Sequence, residues 1–275
     1  RRDGPNAMSP MLHIAAREIR IGFRNPWAYS FMALFALFAL TLWLIHAQGY
    51  VGGYSGLTGT LLTLVLYLLP LVTLTLGSFS LTGDKEDGSW ELLSTYPVST
   101  CSYIVGKYAG TAAVQLVIVA FGFGLAGTVG GFDLPTFTLL IGFAASLSLT
   151  FLAVAMLIGA LARNRWQALT MAVAVWFFAI IAWPSVMISI LGFLPYPWIK
   201  PAVSAMTFVN PAELSRLFAV VKLGGGSVLG PEYYGWVKWI RGLSGTVGFA
   251  AVSLAWIGGA VGAAVWLWER GRKRA

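Results

Sequence analysis

The stretch "LLTLVLYLLPLVTLTLGSFSLTGDKEDGSWELLSTYPVST", residues 61–100, decides the fold. Its first half, through Leu81, carries no charge; five charges then crowd between Asp84 and Glu91. About 20 apolar residues in helical form cross ~30 Å of hydrocarbon. The first half therefore reads as a membrane span and the second as the connection where the chain leaves the bilayer. The whole chain repeats that contrast. Of its 275 residues 58% are hydrophobic and 10% charged, with a mean hydropathy of +0.78. A soluble domain carries about 25% charged residues.

Six apolar runs are long enough to span, at about 27–45, 57–81, 104–128, 136–161, 168–194 and 245–268, and the one charge in them is Lys107 at the start of the third. They predict an all-α polytopic membrane protein, with kinks at Pro70 and Pro184 that neighbouring helices can satisfy. Basic residues set the orientation. Thirteen of the 18 lie in the N-terminus, the second and fourth connections and the C-terminal "ERGRKRA", while the first and third connections, 46–56 and 129–135, have none. Positive charge stays inside. Both termini are expected on the cytoplasmic face of a bacterial or archaeal inner membrane, and the net charge of +8 reflects topology, not nucleic acid. The first apolar run is of spanning length and lacks a small-residue cleavage site, so no cleavable signal peptide is expected. The domain plan is an N-terminal extension and interfacial helix (1–26), a six-span domain (27–268) and a basic cytoplasmic tail (269–275).

In "MLHIAAREIRIGFRNP", Leu12, Ala16, Ile19 and Phe23 form one helical stripe, and Arg17, Arg20 and Arg24 another. This predicts an amphipathic helix in the headgroup region, stopped by Asn25-Pro26. A plain basic flank that only sets topology is the alternative, and Ile14 and Ile21 interrupt the polar face. The long fifth connection, 195–244, contains "NPAELSRLFAVVKLGGG". Here Asn210 is an N-cap, Pro211 the first helical residue and Glu213 the third, a variant capping box, and the glycines stop the helix. With Tyr233, Tyr234, Trp236 and Trp239 following, the segment reads as a small helical cap lying on the outer membrane face. Whether it meets a partner is open on the residues alone.

Several chemistries find no support. No span contains Asp, Glu or Arg, and Lys107, close to the cytoplasmic start of the third, is the one lysine, which weakens a proton relay or a self-powered carrier; sodium held by carbonyls of broken helices stays open. An intramembrane enzyme lacks its motifs. One cysteine, Cys101, and two histidines cannot build a metal centre. "CSYIVGKY" (101–108) resembles a phosphate loop only in part, lacking the leading glycine and the Ser or Thr for magnesium. Scattered methionines are packing residues. The chain is expected to bind no cofactor, and any ATP-driven work must come from another polypeptide.

The charged connection, 82–101, lies on the cytoplasmic side. Gly88 breaks it, and "SWELL" predicts a short helix with Ser89 as cap and Trp90 and Leu93 on one face. Two readings stay open on those residues: an anchor that docks into a protein groove, or a solvated turn with Trp90 in the headgroups. Beyond them, "DGSWELLSTYPVSTCSYIVGK" resembles the signature connection of ABC-2-type transporter permeases, matching at Glu86, Gly88, Ser89, Leu92, Leu93, Pro97, Gly106 and Lys107. A basic residue common after the proline is replaced here by Ser99, Thr100 and Cys101. "RNPW", "LLSTYPV" and "NPAELSRL" are most similar to the branch that serves nitrous oxide reductase maturation.

The resemblance implies a non-catalytic membrane subunit that pairs with a second copy of itself. It implies a cytoplasmic ABC ATPase dimer that holds ATP and Mg. Glu86, Asp87, Gly88, Ser89, Trp90, Glu91, Leu92, Leu93, Pro97 and Lys107 would form its coupling segment. It also implies an extracytoplasmic partner, a β-helical accessory protein in the maturation reading, met by Asn210, Pro211, Glu213 and Arg216. Copper-site maturation competes with export of a lipid, peptide or drug-like molecule, and a standalone secondary carrier is a further alternative.

Overall fold

The computed structural model describes residues 8–47, 57–89, 98–130, 134–230 and 233–272. Eleven α-helices are described among them. They are α1 (Met8–Arg24), α2 (Pro26–Ala47), α3 (Leu57–Glu86), α4 (Thr100–Gly130), α5 (Leu134–Leu161), α6 (Arg165–Trp176), α7 (Trp183–Phe193), α8 (Tyr196–Val209), α9 (Pro211–Lys222), α10 (Tyr234–Arg241) and α11 (Leu243–Arg272). Six π-helical residues, Phe177–Ala182, join α6 to α7.

Among the described residues five helical stretches are long and apolar enough to cross a membrane: Gly59–Glu86, Thr100–Gly124, Leu134–Leu161, Arg165–Phe193 and Leu243–Gly271. Where the first span was expected, α2 forms a 22-residue apolar helix, several of whose side chains lie outside the described residues. The centre of the bundle is the α3–α5 pair, whose facing Leu69, Leu74, Leu147, Phe151, Leu152 and Met156 are fully buried. In lipid such contacts hold by close packing, because the tails outside are as apolar as the core. Around this pair α11 packs on α5, α6 on α3, and both α1 and α2 on α4.

Two prolines fall within the apolar helices, in different surroundings. Pro70 stays inside α3, and the Trp176 indole N–H donates to the nearby Tyr67 carbonyl at 2.7 Å. Pro184 lies two residues past the π-segment, as the second residue of α7. A proline cannot donate into the ladder behind it, and the widened turn absorbs the mismatch.

Several boundaries differ from expectation. Helix α3 runs on through Asp84 and Lys85 to Glu86, because each of these charges finds a partner inside the protein. The last helix extends to Arg272, so residues 269–272 continue the final span and are not a separate tail. The segment after α7 is helical, but α9 does not simply lie on a surface. It packs against α5, α3 and α11, and Ala212, Glu213, Leu214, Ser215, Leu217, Ala219 and Val221 are all buried. Burial spread over more than one stripe means protein contact on several sides.

Candidate functional site

At the charged end of α3 three helices meet on one lysine. Lys107, 1% exposed, lies 2.8 Å from both Glu18 of α1 and Asp84 of α3. It also donates to the Ser80 carbonyl at 2.7 Å. An ammonium has three donors, and all three have a partner here. The carboxylates are held in turn. The Ser80 hydroxyl donates to Glu18 at 2.9 Å and the Tyr103 hydroxyl to Asp84 at 2.6 Å. The helices come this close because α4 has glycines at 106 and 110. A Cβ on Gly110 would stand 2.6 Å from the Ala15 carbonyl oxygen and from the Glu18 Cβ. The small-xxx-small spacing of "GKYAG" is the groove that seats α1.

The expected stripe on α1 is therefore divided. Leu12 and Ala16 are exposed, while Ile19 and Phe23 pack with Val114 and Ile118. Ile14, which seemed to spoil the polar face, packs against the main core. A third face, with Ala15, Glu18 and Gly22, points at α4.

The next turn of α3 is tied to the α5–α6 connection. Lys85 donates to the carbonyls of Gly159, Ala160 and Ala162 at 2.9, 2.9 and 2.6 Å. These are C-terminal carbonyls of α5 that no helical N–H serves, and a cation there also meets the negative end of the helix dipole. Its Nζ stands 4.6 Å over the Trp268 ring of α11. Glu86 accepts from the Arg165 backbone N–H at 2.7 Å and pairs with its guanidinium at 3.1 Å; Asp87 lies 3.4 Å from the same group. The Thr100 hydroxyl donates to Glu269 of α11. Gly88, at φ +68°, then turns the chain in a conformation that side chains disfavour, and Ser89 resumes helical backbone. Trp90, Glu91, Leu92, Leu93 and Pro97 lie outside the described residues.

Of the expected coupling residues, Glu86, Asp87, Gly88 and Ser89 are thus brought together at the elbow. Lys107 is placed differently. Its burial closes it to direct contact with a partner, so its contribution to the elbow is position. Sequence reasoning overlooked Glu18, Asp84, Tyr103 and Arg165. The available signal was a single carboxylate in an arginine-rich stripe on α1, one helical turn from a buried face.

In the outer group, Asn210 is buried, with its side-chain oxygen accepting from Ala212 N–H at 2.9 Å, as an N-cap should. Its amide donates to the Ala179 carbonyl in the π-segment at 2.6 Å. The reciprocal half of the capping box does not form. Asn210 N–H is already bonded to Met206 at the end of α8, so Glu213 turns instead to Arg216, with contacts of 2.9 and 2.6 Å. Asn210 and Glu213 are buried and Pro211 half-buried, whereas the Arg216 side chain is 40% exposed. Arg216 is the member of the group that presents charge outward. Among the described residues no three His, Cys, Asp or Glu side chains gather to hold a metal ion.

A multi-pass helical membrane protein is thus defined, with a charged elbow tied to the helices around it. The chain belongs to the ABC-2 family transporter proteins, whose family model matches residues 12–270. It is similar to the probable ABC transporter permease protein NosY of Stutzerimonas stutzeri, 28% identical over 237 residues, 81% of this chain and 86% of the relative. It is similar also to the protein of the same name from Pseudomonas aeruginosa PAO1, 28% identical over 224 residues, 74% of this chain and 79% of the relative.

Proposed function

We propose that this chain is the permease subunit of an ABC transporter and takes mechanical work from a separate cytoplasmic ATPase at the elbow between α3 and α4. It has six spans when α2 is counted, both termini are cytoplasmic, and two copies form the transmembrane unit. The observation that carries the reading is the construction of the elbow. Lys107 fastens α3 to α1 and α4, Lys85 fastens it to α5, and Arg165 fastens it to α6. A push on residues 86–97 is delivered to several spans together, as a coupling element requires. Trp90 and Leu93 are the anchors for the ATPase groove.

On the outer face the segment 195–244 receives an extracytoplasmic partner. Asn210 and the Glu213–Arg216 pair hold its shape against the π-segment, and Arg216 makes the contact. The work is used in maturing the copper site of nitrous oxide reductase; similarity to the two NosY proteins supports this branch over export of a lipid or peptide. The test is genetic and chemical. Deleting the chain from its host is expected to yield nitrous oxide reductase depleted in copper, restored by the wild-type chain together with its ATPase. A fully loaded reductase in the deletion strain contradicts the maturation role, and transport by the chain alone in liposomes contradicts the need for an ATPase.

A further inference from the structure

Beside the Lys107 cluster a cleft of about 440 Å³ opens between α1, α3 and α4, a volume within the range of small-ligand sites. Its two ends differ in character. Arg17, Asp87 and Arg165 stand where α3 ends, whereas Leu76, Phe79 and Ile118 line the part that runs into the bundle. From Asp87 to Leu76 is 11 residues of α3, roughly 16 Å at 1.5 Å per residue. That is about the hydrocarbon depth of one leaflet.

The charges select the occupant. Arg17, Lys107 and Arg165 are balanced by Glu18, Asp84 and Asp87 among the lining residues. A ligand with net charge upsets that balance, whereas a zwitterion does not. Arg17 has donors to offer. Its guanidinium reaches Asp84 only at 3.8 Å, beyond hydrogen-bond range, and its side chain is 43% exposed. The Asp87 side chain, 64% exposed, has Arg165 at 3.4 Å and open acceptor capacity on the other side.

We propose that this cleft holds a zwitterionic membrane phospholipid of the ethanolamine class. Its phosphodiester sits on Arg17, its primary ammonium donates to Asp87, and the first part of an acyl chain lies against Leu76, Phe79 and Ile118. A trimethylammonium head has no donor for Asp87, and an anionic glycerol head adds a net charge. The lipid then fills the gap between the interfacial helix and the elbow. The proposal rests on the cleft and the membrane setting, and is independent of the ATPase reading.

Native mass spectrometry of the full chain, released from detergent with added phosphatidylethanolamine, phosphatidylcholine, phosphatidylglycerol or inorganic phosphate, tests it. One phosphatidylethanolamine per chain is expected to persist at about tenfold lower lipid concentration than the other two, the least that a charge-assisted hydrogen bond produces. R17Q and L76W should each weaken retention at least about fivefold, and R24Q, outside the cleft, should not. If L76W fails to fold by circular dichroism, R17Q at its half-exposed position carries the comparison. Equal retention of all three lipids, preference for phosphatidylglycerol, displacement by phosphate alone, or R17Q behaving like R24Q each overturns the proposal. None of these outcomes touches ATPase binding, which is measured separately.

Discussion

Lys107 and Glu18 stand 89 positions apart in the chain and meet at 2.8 Å inside the protein. The pair joins the N-terminal helix α1 to the bundle beside the elbow, and Asp84 makes it a triad. Taking such charges out of water is expensive, and a buried pair adds little net stability, but removing one member leaves the others uncompensated at a cost of about 3–5 kcal/mol. Lys107→Met is therefore expected to lower thermal stability in detergent by that amount. The Lys107→Met/Glu18→Gln double variant should recover part of the loss. Additive losses would show that the two side chains do not interact.

Gly110 and Gly124 lie on the same helix in opposite circumstances. An added Cβ at Gly110 collides with the Ala15 carbonyl and Glu18, whereas at Gly124 no atom of the described residues outside its own helix turn lies within 4 Å of one. Gly110→Ala should destabilise by about 1–3 kcal/mol through overpacking. Gly124→Ala should be neutral or stabilise by up to about 1 kcal/mol through helix propensity. Thermal unfolding of the two variants reads the opposite signs directly.

Asn210 serves two elements at once. Asn210→Asp keeps the acceptor for Ala212 N–H but replaces the donor to Ala179 with a carboxylate facing a carbonyl oxygen. A loss of about 1–3 kcal/mol is expected, with faster hydrogen exchange confined to Phe177–Ala182 and the start of α9. Unchanged exchange in the π-segment would remove Asn210 as its support.

Much of the fold was legible because the bilayer leaves long charge-free signatures. Five predicted spans match helices to within a few residues at most ends, and Asn210-Pro211 announced the start of α9. The buried ion cluster was not legible. Glu18 sits in an arginine-rich stripe that reads as a solvated face, and only the glycines of α4 bring that face against Lys107. The end of α3 was set too early for the same reason. Charges normally mark the exit from the membrane, but Asp84 and Lys85 have partners supplied by α4 and by the C-terminus of α5, which local sequence does not reveal. The capping box failed because α8 had already engaged the Asn210 N–H, a contact outside the motif.

The Arg165–Glu86 pair is more exposed than the Lys107 cluster, at 48% and 32% of the two side chains. Water and salt screen it, so a double-mutant cycle should give only about 0.2–1 kcal/mol, shrinking as salt is raised from 0.1 to about 1 M. A coupling energy as large as that of the Lys107 triad would mean that the elbow is buried by something further.

The elbow as the seat of the ATPase is tested most directly by copurification. The Trp90→Asp/Leu93→Asp variant is expected to reach the membrane and fold, yet to lose the stoichiometric ATPase subunit and its stimulated ATP hydrolysis. Full retention of both by that variant would show that the ATPase seats elsewhere.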